Sequence, residues 1–325
     1  MTPDISVVIP AYCTAERYGT SRLRLTLAGF ARQTLDPSRY EVVVVDDGSD
    51  GDLRAELDPD AQPFAVRVLR REHAGMCSAY NAGVAAAAAD VVLLGIDDNV
   101  PSPDALERHV ALHRARDGED VVVCGRERFL LFAVAFRDPI AHELDVAALR
   151  AQPAIVEMPE LLALRERGIQ LADVTDRFDE LARLSVMLPA YADIERTVAA
   201  GGFRGLGAGW LAMRLGNHSL RRELLAATGG LDERLDPSGF YADNELGVRL
   251  RDLGADLVYD VEALMLHVSH GREPGFHTAS LVNHGRFLER HPRLDVALLP
   301  HLFSLSLSIE EFSSHLDALA QETPA

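Results

Sequence analysis

Short apolar runs recur along the first part of the chain and alternate with segments of helical spacing. The runs lack strict apolar–polar alternation and therefore predict strands that are covered on both faces. They span residues 5–9, 41–45, 65–69, 91–96 and 121–124. Between them, Leu23, Leu27 and Phe30 repeat at helical spacing, and the alanine-rich stretch 76–89 also favours helix. This order predicts right-handed βαβ units and an α/β fold with a mostly parallel sheet.

Polar residues follow four of the predicted strands at their carboxyl ends. These ends read Pro10-Ala11-Tyr12, Asp46-Asp47-Gly48-Ser49, Arg70-Arg71 and Asp97-Asp98-Asn99. Ligands of open α/β sheets bind in the crevice beyond the carboxyl ends of the strands. We therefore expect a polar ligand site at this edge.

The pattern changes after the fifth predicted strand. Leucine- and glutamate-rich helical spacing predicts a helical insertion over 131–200, and the tail 276–325 is also predicted to be helical. In between, Leu246, Leu250 and Leu253 predict one face of a helix that Gly254 ends, and 256–259 predict a strand. We therefore divide the chain into segments 1–130, 131–200, 201–275 and 276–325.

Composition and charge narrow the classes of protein. A chain of 325 residues that is 48% hydrophobic can bury a large core. The net charge of −18 argues against nucleic acid and anionic membrane partners. No apolar stretch reaches the roughly 18 residues that span a bilayer, so we expect no integral membrane segment. Three widely spaced cysteines predict neither a disulfide framework nor a zinc cluster, which is typical of a cytoplasmic protein.

Two absences from the sequence exclude further chemistry. The chain contains no lysine, which excludes a Walker-type phosphate lysine, an internal Schiff base and a lysine general base. The turn after the first strand reads PAYCTAERYG and lacks the Gly-x-Gly-x-x-Gly spacing of dinucleotide-dependent oxidoreductases.

Seven short motifs, in this order along the chain, resemble those of the family-2 inverting glycosyltransferases of GT-A fold. They are ISVVIPAY, VVVVDDGS, AYNAG, IDDN, GNHSLRRELLAATGGLDE, DNELGVRL and ALMLH. The resemblance covers about residues 4–130 and 215–270. It implies a GT-A type, Rossmann-like sheet flanked by helices, with the donor bound by 1–130 and the acceptor and catalytic residues in 201–275.

The resemblance also implies which residues bind the donor, a nucleoside-diphosphate sugar with a UDP-sugar favoured. They are Pro10, Ala11, Tyr12, Asp47, Arg71, Asn81 and Asp97, with Arg70 as an alternative to Arg71.

For the metal and the reaction, the resemblance implies that Asp98, Asn99 and His267 bind Mn²⁺ or Mg²⁺. Asp243 would be the catalytic base, with Glu245 as the alternative acid of this pair. An acidic protein needs a counter-cation to accept a diphosphate, and carboxylate ligands with an imidazole favour Mn²⁺. Two residues depart from the family pattern: Asn99 stands where a third acid is common, and Ala242 stands where a glutamate often precedes the base.

The same residues also have interpretations without chemistry. In these interpretations Asp47 and Asp98 are turn residues that follow strands, and Asp243 is the N-cap of a helix. His267 and His270 are then histidines of the core or of the surface. The favoured function is metal-dependent, inverting transfer of a sugar to an acceptor hydroxyl of a saccharide or small molecule. The alternative is a non-catalytic nucleotide-sugar-binding protein derived from such a transferase.

Overall fold

Eight strands form one sheet in this computed structural model, which describes residues 2–15, 19–130, 164, 167–270, 276–304 and 307–322. The strands are β1 Ile5–Ala11, β2 Tyr40–Asp46, β3 Ala65–Arg70, β4 Val91–Leu94, β5 Asn99–Pro101, β6 Val121–Leu130, β7 His218–Arg221 and β8 Asp256–Val268. Their order across the sheet is β3-β2-β1-β4-β7-β6-β8-β5.

Most neighbouring strands run parallel, which confirms the predicted α/β class. The pairs β3–β2, β2–β1, β1–β4 and β6–β8 are parallel, whereas β7 runs antiparallel to β4 and β6, and β5 runs antiparallel to β8. The five predicted strands correspond to β1, β2, β3, β4 and β6, and the stretch 256–259 opens the longer β8. The apolar-run pattern did not predict β5 and β7, because each is short and begins with a polar residue.

Helices cover both faces of the sheet. The described helices are α1 Ser21–Phe30, α2 Leu53–Leu57, α3 Met76–Ala86, α4 Ala105–Ala115, α5 Leu171–Asp176, α6 Phe178–Leu184, α7 Pro189–Ala200, α8 Arg222–Thr228, α9 Ala242–Asp252, α10 Phe276–Arg290, α11 Leu294–Ala297, α12 Leu299–Ser304 and α13 Ile309–Glu322. In the part of the chain that the structure describes, no helix combines the length and the apolar composition needed to cross a bilayer.

The core forms on both sides of the sheet. Leu23, Leu27 and Phe30 of α1 pack against one face, and Leu246 and Leu250 of α9 pack on the other. Leu253 was predicted to share that buried face, but it is 47% exposed because it lies one residue beyond the end of α9. Gly254 follows with a φ of +85°, a conformation that glycine adopts without strain, and it ends the helix as predicted.

The described part of the predicted insertion is helical, whereas 131–163 and 165–166 lie outside the described residues. Val186 pairs with Phe129 in an isolated bridge, which holds the chain between α6 and α7 against β6. The tail packs through Phe287, Leu299 and Phe312 onto a cluster that includes Trp210. The three cysteines are buried and unpaired.

Candidate metal and donor site

The register of three strands brings distant residues together at the edge of the sheet. Asn99 in β5 lies opposite His267 in β8, and His267 lies opposite Phe129 in β6. Asp98 directly precedes β5, and its carbonyl oxygen accepts a hydrogen bond from the Val268 backbone at 2.8 Å. The IDDN turn and the late ALMLH motif therefore meet at one place, as the sequence predicted for Asp98 and His267.

Asp98, His267 and His270 form a cluster that fits a divalent cation. Each offers one ligand atom, and these atoms lie within 4.8 Å of one another. His270 Nε2 lies 3.1 Å from Asp98 Oδ2, and His267 Nδ1 lies 3.4 Å from Asp98 Oδ1. Asp98 is only 3% exposed, yet its Oδ1 has no hydrogen-bond partner. A buried oxygen in that state is costly unless a cation satisfies it, and one carboxylate with two imidazoles suits Mn²⁺.

Positive groups surround the two adjacent carboxylates of the turn. Burial raises the pKa of Asp98, but His267, His270 and Arg22 outweigh it and hold that pKa well below its usual range. Burial raises the pKa of Asp97, and Arg22 opposes this only in part. Asp98 therefore has the lower pKa of the pair and is the principal candidate ligand.

The structure places the amide of Asn99 beside the cluster and gives both of its polar atoms protein partners. Nδ2 donates to Glu127 Oε1, and Oδ1 lies 3.1 Å from His267 Nδ1. Burial raises the pKa of Glu127 to about 7, although hydrogen bonds with Tyr191 and Asn99 oppose the shift. His270, which the sequence analysis did not assign to the metal, lies in the cluster with Asp98 and His267.

Asp47 organises the loop that follows β3. Its carboxylate accepts hydrogen bonds from the backbone of Gly75 at 2.8 Å and of Ala74 at 3.2 Å. The Nε of Arg71 lies 3.3 Å from Asp47 Oδ1, and Arg71 also donates to the Ser78 carbonyl and hydroxyl. Asp47 and Arg71, which were both predicted to bind nucleotide, are therefore in contact.

Three other predicted nucleotide residues, Pro10, Ala11 and Tyr12, lie at the adjacent end of β1. The ring of Tyr12 stacks on the ring of His73, with centroids 4.2 Å apart and planes 15° apart. The Ala11 carbonyl accepts from the Asp47 backbone at 2.8 Å, and Pro10 precedes it in β1. These contacts build one aromatic and acidic wall from the ends of β1, β2 and β3.

Asn81 has a different environment. Its Nδ2 donates to the Leu231 carbonyl at 3.0 Å and to Glu233, and its Oδ1 accepts from the Leu231 backbone at 2.8 Å. Asn81 therefore holds the loop before α9 against α3, a role that the sequence did not suggest.

Asp243 and Glu245 occupy contrasting environments in α9. The N-cap is Tyr241, with φ +67°, so Asp243 lies inside the first turn and does not hold the N-cap position. Asp243 is partly exposed, and burial raises the pKa of its carboxyl group despite opposition from Arg214. Glu245 is fully buried, and its carboxylate accepts from Arg249 and from His291 Nε2 at 2.8 Å, with Arg290 3.3 Å away.

Arg214 supplies positive charge near two carboxyl groups of the site. Its charge opposes the raised pKa of both Asp243 and Glu127, so it lies near both carboxyl groups. Glu127, Tyr191 and Arg214 line one small cavity. Neither Arg214 nor Glu127 was predicted, because nothing in the local sequence around them distinguishes a site residue from a core or surface residue.

Comparison with known proteins relates part of the chain to a known family. Residues 6–148 match the family model described as Glycosyl transferase family 2, and this match covers a little less than half of the chain. The chain is 27% identical over 305 residues to Validoxylamine A glucosyltransferase of Streptomyces hygroscopicus subsp. limoneus, and also 27% identical to that of subsp. jinggangensis. Both alignments cover 93% of this chain but only 59% and 63% of the relatives, so the chain spans about three fifths of their length.

Solved structures share the fold of this chain. Mannosyltransferase PcManGT from Pyrobaculum calidifontis, solved with GDP-Man and Mn²⁺, superposes with a TM-score of 0.53 over 100% of this chain and 77% of its own, at 15% identity. S. aureus TarS 1-349, solved with UDP, gives 0.50 over 82% of this chain and 60% of its own, at 14% identity. The predicted GT-A type fold is confirmed.

Proposed function

We propose that this protein is a glycosyltransferase that moves a sugar from a nucleoside-diphosphate sugar to an acceptor hydroxyl, with inversion and with a divalent cation. The observation that carries the proposal is the buried Asp98 Oδ1, which has no hydrogen bond and faces His267 in a cluster with His270. Asp98, His267 and His270 would hold Mn²⁺ or Mg²⁺. When bound, the cation offsets the charge of the diphosphate and so favours its departure.

The donor fits the wall formed at the ends of β1 to β3. Tyr12 and His73 offer a stacked aromatic surface for a base, and Asp47 holds the loop that carries His73. The total charge of −18 would repel a diphosphate without the cation and nearby arginines. We favour a UDP-sugar as donor.

Asp243 is the proposed general base. In a single displacement, the acceptor oxygen forms a bond to the anomeric carbon while the bond from that carbon to the diphosphate oxygen breaks. The hydroxyl proton passes to the Asp243 carboxylate, so no covalent enzyme intermediate is needed and the configuration inverts. The raised pKa of Asp243 brings it closer to the operating pH, as a general base requires.

The names of two relatives, both called Validoxylamine A glucosyltransferase, support a choice of acceptor class. We propose a small polyhydroxylated acceptor or a saccharide for this chain, and UDP-glucose as the first donor to test. A non-catalytic nucleotide-sugar-binding protein is the second candidate, because Ala242 stands where the family often has a glutamate, and it is fully buried at the start of α9.

A binding experiment separates the metal proposal from a structural role of the cluster. The melting temperature is measured with UDP, GDP and UDP-glucose, each with and without Mn²⁺, for the wild type and for Asp98→Asn. Ligands that bind only the folded state raise the melting temperature. We expect a Mn²⁺-dependent rise with UDP in the wild type that Asp98→Asn loses.

The matched control is Asp173→Asn, which removes a buried carboxylate paired with Arg167 and Arg177 in the insertion. It should keep the Mn²⁺-dependent rise. Nucleotide binding that is indifferent to Mn²⁺ in all three proteins would contradict the metal proposal. Binding without release of UDP from UDP-glucose, with any acceptor, would favour the non-catalytic alternative.

A further inference from the structure

Three buried side chains form a hydrogen-bonded line across the edge of the sheet. Glu127 in β6 accepts from Asn99 Nδ2, and Asn99 Oδ1 in β5 lies 3.1 Å from Nδ1 of His267 in β8. Their exposed fractions are 3%, 1% and 8%. The line therefore begins in the sheet interior and ends at an imidazole of the metal cluster.

The chemistry of these groups fixes the direction of each hydrogen bond. Nδ2 of Asn99 donates to Glu127 Oε1, so the NH₂ group of Asn99 lies on the side of Glu127. The amide oxygen must then face His267, and an amide oxygen only accepts. Nδ1 of His267 must therefore carry a proton, which leaves the lone pair of the neutral ring on Nε2.

We propose that Glu127, acting through Asn99, fixes the Nδ1–H tautomer and the ring orientation of His267, and that both are positioning residues for the metal centre. The Asn99 amide oxygen is the nearer acceptor at Nδ1 of His267, at 3.1 Å, and Asp98 Oδ1 is the second, at 3.4 Å. The consequence of the tautomer for metal affinity rests on the proposed function. Partners that orient a ligating histidine in this way typically contribute 10–100-fold to metal affinity. This assignment gives Asn99 a role other than that of a ligand.

Packing around the line holds it in place. Gly216 has a φ of +119°, and a Cβ built there would lie 2.5 Å from Glu127 Oε1 and 2.7 Å from Asn99 Nδ2. Only glycine lets the chain approach the two side chains so closely. Tyr191 adds a hydrogen bond to Glu127 from α7. Glu127 therefore has a fixed orientation from which to direct the amide.

The first test reads the tautomer directly and needs no metal. The imidazole ¹⁵N chemical shifts are recorded at pH 8 in the wild type and in Asn99→Leu, with His267→Gln identifying the His267 signals. We expect the Nδ1–H pattern for His267 in the wild type and its loss in Asn99→Leu. An Nε2–H pattern in the wild type, or the same pattern in both proteins, would overturn the proposal. Asn99→Ala replaces Asn99→Leu if the larger side chain does not fold.

The second test measures Mn²⁺ affinity from the electron paramagnetic resonance signal of the free ion. Asn99→Leu and Glu127→Leu should weaken binding about 10–100-fold. Glu127→Gln should bind Mn²⁺ nearly as well as the wild type, because a glutamine oxygen still accepts from Asn99. Equal losses of Mn²⁺ affinity in Glu127→Gln and Glu127→Leu would show that the charge of Glu127 supports metal binding. That result would overturn the proposed positioning through Asn99.

Asn283→Leu is the matched control for the loss of a buried amide. Asn283 is buried and donates to the carbonyl groups of Leu235 and Phe240, away from the cluster. Asn283→Leu should lower stability without changing Mn²⁺ affinity. If Asn283→Leu lost as much affinity as Asn99→Leu, the role of Asn99 would be structural only. If the wild type binds no Mn²⁺, the metal proposal fails, while the ¹⁵N pattern still decides the tautomer.

Discussion

Arg22 in α1 reaches the acidic turn after β4, where its Nη1 lies 3.3 Å from Asp98 Oδ2. Its Nη2 lies 3.7 Å from Asp97 Oδ2, and the Arg22 side chain is itself buried. Two neighbouring carboxylates thus share one buried guanidinium. The arginine compensates part of their charge in the protein without a metal, and His267 and His270 lie beside Asp98 on its other sides.

Removal of Arg22 should therefore lower the free energy of unfolding, and a bound metal should reduce that loss. In Arg22→Met the free energy of unfolding should fall by about 3 kcal/mol, because buried carboxylates lose their partner. Added Mn²⁺ should restore part of that loss by supplying charge at Asp98. Urea denaturation with and without Mn²⁺ measures both effects.

The control for this prediction is Arg39→Met, which breaks the ion pair of Arg39 with Asp4. Both side chains are partly exposed, so the loss in the free energy of unfolding should stay below about 1 kcal/mol. That loss should not depend on Mn²⁺. An Arg22→Met loss of the same size at every Mn²⁺ concentration would contradict the placement of a cation at Asp98.

Asp47→Ala should weaken nucleotide binding and leave the metal cluster intact. The carboxylate accepts from the Ala74 and Gly75 backbone and contacts Arg71, so its loss frees the loop beside Tyr12. Hydrogen bonds to charged groups contribute about 1.5–3 kcal/mol each, so UDP affinity at saturating Mn²⁺ should fall at least about tenfold. Isothermal titration calorimetry measures the change.

Asp52→Ala provides the comparison for Asp47. Asp52 caps α2 through the Ala55 backbone, so its loss should cost about 1 kcal/mol of stability without affecting UDP. If Asp47→Ala also changed only stability, Asp47 would be a turn residue and no more.

Three buried imidazoles should make the protein sensitive to mild acid. Burial lowers the pKa of His109 and His113 to about 4 and that of His218 to about 3. The unfolded chain takes up protons below about pH 6.5, whereas the folded protein resists them. The contribution of these imidazoles to the free energy of unfolding is therefore fully present above that pH. It decreases below that pH, by about 2 kcal/mol per imidazole at pH 5.

Urea midpoints at pH 7.5 and pH 5 test this expectation. His109→Gln should remove about one third of the pH-dependent loss, since one of three comparable groups no longer titrates. His315→Gln, at an exposed position of α13, should leave the loss unchanged. A wild type equally stable at both values would show that these imidazoles are not held neutral.

The sequence predicted the strands that are apolar runs and the positions of the polar residues that directly follow them. Asp47 and Asp98 are in that group because the carboxyl end of a buried strand determines where they lie. Residues placed by pairing between distant segments were not predicted. Glu127 meets Asn99 only through the register of β6, β8 and β5, and Arg22 reaches Asp98 from a helix that the pattern located but could not orient.

The pair of acids in α9 illustrates the same limit. Asp243 and Glu245 are two residues apart, and the sequence offered both as candidates for the base. Tertiary contacts separate them, because Arg249, Arg290 and His291 surround Glu245 while Asp243 stays partly exposed near Arg214. We therefore keep Asp243 as the proposed base and treat Glu245 as the anchor of α9.

The most direct measurement is the rate of UDP release from UDP-glucose, with water or an added polyhydroxylated acceptor, in Asp243→Asn and Glu245→Gln. Asp243→Asn should lose about 10²–10⁴ in rate with UDP affinity and melting temperature preserved, because asparagine cannot take the proton. Glu245→Gln should lose stability, since it leaves buried cations unpaired, but retain the rate per folded molecule. An Asp243→Asn variant that releases UDP as fast as the wild type would contradict the account.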